Sequence, residues 1–335
     1  MKKREISRRE FVKLGTTGTA AALVLGGKSP AGAATTMMER PLGKTGHRVR
    51  LFSLGGQATI EKEGTRDESV AIVNRAIDLG VNYIDTAARY GGGISQKYIG
   101  EVMATRRKEV FLATKTHDRT KDGSLKLLEE SLKSLQTDHI DLWQLHNVRT
   151  QEDLDQIFGK DGAIEALEKA RDEKIVRFLG ITGHYDPAIL IQGLEQYDFD
   201  TILMALNPSD AHQLSFQDRL LPLANEKGMG IIGMKIPARG LLFREGGLTS
   251  MKDAMRYVLS KPVSTVIVGC DTVEQLEENV SMAAEFEPLS AEEMAHLEAL
   301  TKDYWAEASF YKKGGKRPPR KGASLDTQGM PFLAD

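Results

Sequence analysis

Eight short runs of β-branched and apolar residues recur along the chain, separated by longer stretches with apolar residues at helical spacing. The runs are Leu51–Leu54, Asn82–Asp85, Val110–Ala113, Ile140–Leu145, Phe178–Ile181, Thr201–Ala205, Gly230–Met234 and Thr265–Val268. Between them, segments such as Asp67–Leu79, Ser124–Leu135, Ala163–Glu173 and Ser250–Ser260 repeat apolar residues every three to four positions. Strands with so few polar interruptions belong to a parallel sheet buried on both faces. Eight such units predict an α/β fold, a closed (β/α)8 TIM barrel, with a doubly wound open sheet as the alternative. The units follow one another roughly 30 residues apart with no linker, so they read as one domain.

Two elements lie outside the repeat. Glu39–Leu42 and Arg48–Phe52 flank Gly43-Lys44-Thr45-Gly46, whose glycines suit a tight hairpin turn before the first barrel strand. Asp303–Asp335 is rich in Gly, Pro and Lys and lacks periodicity, which predicts a surface tail or a cover over the barrel mouth. The expected division is therefore a leader over 1–33, a barrel over 34–302 and a tail over 303–335.

Composition narrows the chemistry. The chain has 335 residues and one cysteine, Cys270, so neither disulfides nor a zinc site of several thiolates can hold the fold; packing must, and no metal is expected. The formal net charge is −2. Setting aside the seven basic and two acidic residues of the first 33 leaves 38 basic against 45 acidic, a net −7. That sign offers no global attraction to phosphate backbones, and nucleic acid is not an expected partner. One basic run, comprising Lys312, Lys313, Lys316, Arg317, Arg320 and Lys321, is interleaved with glycines and prolines rather than aromatics, and fits a solvated tail.

The amino-terminal segment has the three-part layout of an export signal: basic Met1–Lys13, mildly apolar Leu14–Leu25, and the small-x-small site Ala31-Gly32-Ala33. The apolar part is 12 residues, short of the roughly 20 that span a bilayer, so membrane contact is expected only during export. Ser7-Arg8-Arg9-Glu10-Phe11-Val12-Lys13 closely resembles the twin-arginine export motif, and the dilution of the apolar run by Gly15–Thr19 fits such leaders. The resemblance implies the twin-arginine export machinery as a partner and a periplasmic destination in a bacterium; if the leader is unused, the protein stays cytoplasmic.

In barrels of this kind the active site lies at the carboxyl ends of the strands. Asp85 ends the second run with Tyr90 five residues later, Lys115 follows the third, and His146 follows the fourth. A free phenol has a pKa near 10. An adjacent ammonium favours the phenolate and makes tyrosine a better acid, a carboxylate keeps the lysine charged and in place, and a histidine can orient a substrate oxygen. Singly, each residue has a structural explanation: a helix cap, loop packing, a surface charge, a satisfied ring. Jointly, four titratable groups at one mouth favour chemistry.

The strings around these residues resemble the aldo-keto reductase superfamily. Gly80-Val81-Asn82-Tyr83-Ile84-Asp85-Thr86-Ala87-Ala88-Arg89-Tyr90-Gly91 resembles its signature, continued by Ser95–Gly100. Ala113-Thr114-Lys115 and Asp141-Leu142-Trp143-Gln144-Leu145-His146 resemble the strands that carry its catalytic lysine and histidine. Arg40–Gly46 resembles the hairpin closing its barrel floor. The resemblance implies hydride transfer between NAD(P)H and a small-molecule carbonyl or alcohol substrate, with Asp85, Tyr90, Lys115 and His146 catalytic and Tyr90 the general acid. It also implies a cofactor extended across the barrel mouth. The positions implied to bind it are Gly56, Thr182, Met234, Lys235, Pro237, Gly240, Gly269, Gln275, Glu278 and Asn279.

Several of these depart from the family's common pattern. Thr182-Gly183 replaces a Ser-Asn pair, Leu203 stands for a carboxamide-binding glutamine, and Met234 stands for the aromatic that stacks on nicotinamide. Neither Thr272 nor Gln275, where a basic residue for the 2′-phosphate is usual, is basic, and Asp271 would repel a phosphate, so NADP and NAD both stay open. Two other functions fit the sequence: a cofactor-holding sensory or binding module with little turnover, and a barrel hydrolase or lyase using the same acid.

Overall fold

The computed structural model describes residues 37–316. The leader over 1–33 and the basic residues Arg317, Arg320 and Lys321 lie outside the described residues. Among the described residues ten strands are present: β1 (Glu39–Pro41), β2 (Arg48–Arg50), β3 (Phe52–Gly55), β4 (Tyr83–Asp85), β5 (Phe111–Thr116), β6 (Ile140–Leu145), β7 (Val176–Gly183), β8 (Thr201–Ala205), β9 (Gly230–Met234) and β10 (Thr265–Val268). From β3 to β10 each strand pairs with the next in parallel, and β10 pairs back onto β3 with Val266, Ile267 and Val268 opposite Phe52, Ser53 and Leu54. That closure is the expected (β/α)8 TIM barrel and excludes the open sheet.

Helices follow the strands on the outside, and several start on side-chain caps placed by the sequence. Thr120, Thr150, Ser250, Thr272 and Ser290 each accept a backbone N–H from the first turn of the helix that follows. Each cap satisfies an amide that the helix leaves unpaired. Outward strand residues such as Ile84, Leu112, Trp143 and Ile181 pack against these helices in one large apolar layer. A second, smaller layer fills the barrel: Tyr83, Phe111, Ala113, Leu142, Leu203, Ile232 and Ile267, joined by Leu42 and Val49. Among the described residues no helix is long and apolar enough to cross a membrane.

Leu42 and Val49 come from the β1–β2 hairpin, which is antiparallel with Arg40 opposite Val49. The turn must run close under the barrel. A Cβ on Gly43, whose φ is +54°, would lie 2.1 Å from the amide nitrogen of Gly230 at the start of β9, so only glycine fits. The hairpin thus plugs the amino end of the barrel and leaves the carboxyl end as the mouth.

Residues 303–316 depart from one expectation. Lys312, expected in a solvated basic run, is fully buried in an ion pair with Asp210. Its Nζ also donates to the carbonyl oxygens of Asp210 (3.1 Å), Gln213 (2.9 Å) and Leu214 (3.2 Å), which is why an ammonium can leave water here. Burial pushes the Asp210 carboxyl above its usual range, against the pull of Lys312. Tyr311 is buried beside it and accepts from Asn207 Nδ2 at 2.9 Å, while the Lys313 amide donates to the Tyr185 carbonyl at 3.1 Å. The segment is pinned across the loops after β7 and β8. Truncating Lys312 leaves a buried carboxyl without its cation, so Lys312→Met should cost on the order of 3 kcal/mol in urea unfolding. A loss within that of an exposed lysine would contradict this account.

Candidate active site

Side chains alternate along a strand, so residues two apart share a face. This periodicity builds the site. Tyr83 lies in the barrel interior, which turns Asp85 inward at the end of β4; Phe111 and Ala113 do the same for Lys115 on β5; Leu142 does it for Gln144 and, one step beyond β6, His146. The registers bring Asp85 beside Ala113 and Lys115 beside Gln144. Tyr90 arrives on a short turn, Tyr90–Gly93, whose Gly91 (φ +56°) presses so close to the Glu61 carbonyl that a Cβ would lie 2.1 Å from it.

Four groups predicted from the sequence therefore meet. The buried Lys115 ammonium is ion-paired with Asp85, donates to the Thr86 carbonyl at 2.9 Å, and lies 3.2 Å from the Tyr90 hydroxyl. It also stands over the Tyr90 ring, 4.7 Å from its centre. Burial pushes the Asp85 carboxyl up from its usual value, while Lys115 and then Gln144 pull it down. His146 stands edge-on to Tyr90 with ring centres 5.7 Å apart. Its pKa is held well below the usual histidine value by burial first and by the Lys115 charge next, so the ring is neutral at physiological pH. Its Nδ1 has no hydrogen-bond partner among the described residues.

Gln144 is a site residue that the sequence reading misses. Its Nε2 donates to Asp85 Oδ2 at 3.1 Å, the face of the carboxylate not taken by Lys115. A signal for it is present, since Gln144 stands two residues before His146 on the same strand face.

A cavity of about 560 Å³ opens beside this cluster. Asp85, Tyr90, Leu203 and Met234 line its inner part, Lys235, Pro237, Arg239 and Gly240 one flank, and Gly56, Gly269, Asp271, Gln275 and Asn279 the other. Of the ten positions expected to hold a cofactor, eight line the cavity, and Thr182 and Glu278 do not. Thr182 is buried, and its Oγ1 accepts the Asn147 amide at 2.9 Å, so it ties the ends of adjacent strands together. Glu278 is exposed on the helix Val273–Ala284, outside the lining. The sequence reading also misses Gln57, Ala58, Glu61 and Lys62, which line the cavity from the loop after β3.

The lining suits a dinucleotide. Leu203 and Met234 give its inner part an apolar face where an aromatic ring would lie, Lys235 and Arg239 stand on one flank, and Gln275, Asp271, Lys62 and Glu61 lie toward the open end. The cationic loop is wound tightly, with φ of +63° at Lys235, +48° at Ala238 and +55° at Arg239. Backbone in that region is strained for residues other than glycine and is kept where a loop has work to do.

Comparison with known proteins agrees with this geometry. Residues 51–254 match a model described as Aldo/keto reductase family. Over 306 residues the chain is 31% identical to L-galactose dehydrogenase of Arabidopsis thaliana, with 78% of this chain and 93% of that protein covered. The chain belongs to the aldo/keto reductase family. It is 28% identical over 313 residues to the uncharacterized oxidoreductase YqkF of Bacillus subtilis, with 79% and 97% of the two chains covered. Among solved structures it is similar to the holo form of aldo-keto reductase AKR11C1 from Bacillus halodurans, at 27% identity and a TM-score of 0.67, covering 79% of this chain and 96% of that one. This family member is a nicotinamide-dependent oxidoreductase. Membership favours the enzyme over a cofactor-holding module.

The neutral histidines set a pH dependence. His184, like His146, is buried and held well below the usual value, by burial first and by Lys235 next. Below about pH 6.5 the unfolded chain protonates both rings while the folded protein does not, so stability falls as pH drops through that value. Each ring contributes up to about 1.4 kcal/mol per pH unit to that fall. Urea unfolding between about pH 7 and 5.5 should show this slope, and His184→Asn should flatten it by about one proton; an unchanged slope would contradict the assignment.

Proposed function

We propose that the protein interconverts a small carbonyl compound and its alcohol, with Tyr90 exchanging the proton on the substrate oxygen. The observation that carries this reading is the buried Lys115 ammonium, bound at once to the Asp85 carboxylate and to the Tyr90 hydroxyl, two residues that line a dinucleotide-sized cavity. When bound, NAD(P)H would supply the hydride for reduction of the carbonyl, and NAD(P)+ would take it up in the reverse direction. Met234 and Leu203 would cover the nicotinamide ring, and Lys235 and Arg239 would neutralise the pyrophosphate. Asp85 holds Lys115, and Gln144 holds Asp85. Lys115 favours the anion left when the Tyr90 phenol gives up its proton. Neutral His146 is a hydrogen-bonding partner for the substrate oxygen, positioning it without adding charge.

The substrate class that best fits is a polyhydroxylated aldehyde or its cyclic form. The likeness to L-galactose dehydrogenase supports this class. The twin-arginine motif Ser7–Lys13 supports export through that machinery to the periplasm, after folding. The sole thiol suits an oxidising compartment, since Cys270 is buried and burial pushes its pKa up to about 12.

Tyr90→Phe should lower kcat by about a thousandfold with aldoses, while nicotinamide binding, read by fluorescence titration, stays within about threefold. Retained activity in Tyr90→Phe would overturn the assignment of the acid. Replacing the paired arginines by lysines, Arg8→Lys with Arg9→Lys, should retain a fused reporter in the cytoplasm; continued export of that double variant would overturn the leader reading.

A further inference from the structure

We infer that the exposed end of the cavity is built for an unphosphorylated ribose, so the protein binds NAD(H) in preference to NADP(H), with Asp271 as the discriminating residue. This rests on the redox reading above and deepens it. A dinucleotide with its reacting ring beside Tyr90 and its pyrophosphate near Lys235 and Arg239 has one stretch of cavity left for its second nucleoside. That stretch is walled by Gly269, Asp271, Gln275 and Asn279, faced by Glu61 and Lys62 from the loop after β3. Burial gives the cavity its direction: Asp85 and Tyr90 are buried, whereas Asp271 and Gln275 are exposed.

The charges at that end suit a diol and not a phosphate. Lys62 is the one lysine or arginine among these lining residues, and it is already spent on Asp271, with Nζ to Oδ1 at 2.9 Å. The Thr59 hydroxyl donates to the same oxygen at 3.3 Å, so both contacts fall on Oδ1 and the lone pairs of Oδ2 are left for a ribose hydroxyl. Gln275 is folded back, its Oε1 accepting the Asp271 amide at 2.6 Å, and the Asn279 amide donates to Cys270 Sγ at 3.5 Å. A carboxylate at this place accepts from the hydroxyls of an adenosine ribose and repels a 2′-phosphate. A phosphate would also have to pull Lys62 away from Asp271, leaving two anionic groups side by side.

The test is equilibrium binding of NADH and of NADPH to the full chain, followed by nucleotide fluorescence and independent of turnover. NADPH should bind at least about tenfold more weakly, and the gap should narrow as salt rises from about 0.02 to about 0.2 M. Asp271→Asn should close the gap by about tenfold, chiefly by tightening NADPH, and Gln275→Arg, which gives up the bond to the Asp271 amide but keeps the Asp271 carboxylate and adds a cation beside it, should also narrow the gap. Equal or tighter binding of NADPH by the unaltered protein overturns the inference. So does an unchanged ratio in both variants, or a selective loss of NADPH binding in Lys62→Gln, which would make Lys62 a phosphate ligand. Binding of neither nucleotide overturns the redox reading itself, a result distinct from binding both equally.

Discussion

An ammonium ion inside a barrel is costly unless every direction around it offers an acceptor. Lys115 meets that demand with the Asp85 carboxylate, the Thr86 carbonyl and the Tyr90 hydroxyl, and the rest of the mouth is arranged around it. Asp85 and Thr86 come from the end of β4, Lys115 from β5 and Tyr90 from the turn that follows β4, so the arrangement exists only when these three pieces are in register. The closed sheet supplies that register, and the hairpin plug below makes the interior dry enough for the charges to matter. Because the carboxylate is shared between Lys115 and Gln144, the cluster resists rotation about any one contact. A rigid acid is worth more than a merely acidic one, since proton transfer requires the reacting atoms to be held in line.

The neutral state of His146 follows from the same charge. An imidazolium would stand beside Lys115 with no counter-ion of its own, and burial removes the water that could screen it. The neutral ring can serve as a hydrogen-bonding group, and in the proposed reaction it leaves the proton donation to Tyr90. Two acids of similar strength at one oxygen would compete; here electrostatics leaves one.

Much of this is legible in the sequence because periodicity is a local property. Eight apolar runs correspond to eight barrel strands, and the polar residues at or just past the carboxyl ends of the second, third and fourth runs, with Tyr90 on the turn after the second, meet at one end of the barrel. Asp85, Tyr90, Lys115 and His146 are found that way. Gln144 escapes because a glutamine inside an apolar run looks like an interruption until the partner it serves is known. Thr182 lies outside the cavity lining, its hydroxyl accepting the Asn147 amide, a contact between neighbouring strand ends that no single-strand pattern reveals. The loop after β3 is missed for a related reason. Ala58, Glu61 and Lys62 line the cavity from a segment in which Ala58 adopts φ of +65°, a local backbone turn that composition does not announce.

Lys312 shows where sequence patterning fails in kind rather than in detail. A lysine among lysines, glycines and prolines reads as solvated, and Lys313 is exposed, but one charge in the run is buried by a partner about a hundred residues away. That burial has a consequence at the mouth. Asn207 Nδ2 donates both to the Tyr311 hydroxyl and to the Lys235 carbonyl, each at 2.9 Å, so the segment anchored by Lys312 and the strained cationic loop share one amide. Lys235 Nζ also lies over the Tyr311 ring, 5.7 Å from its centre. The strain in that loop needs an external restraint to persist, because a free loop would relax to ordinary backbone angles. The carboxyl-terminal segment supplies one through Asn207, which makes a stretch far along the chain from Tyr90 part of what holds the Lys235–Arg239 loop at the cavity.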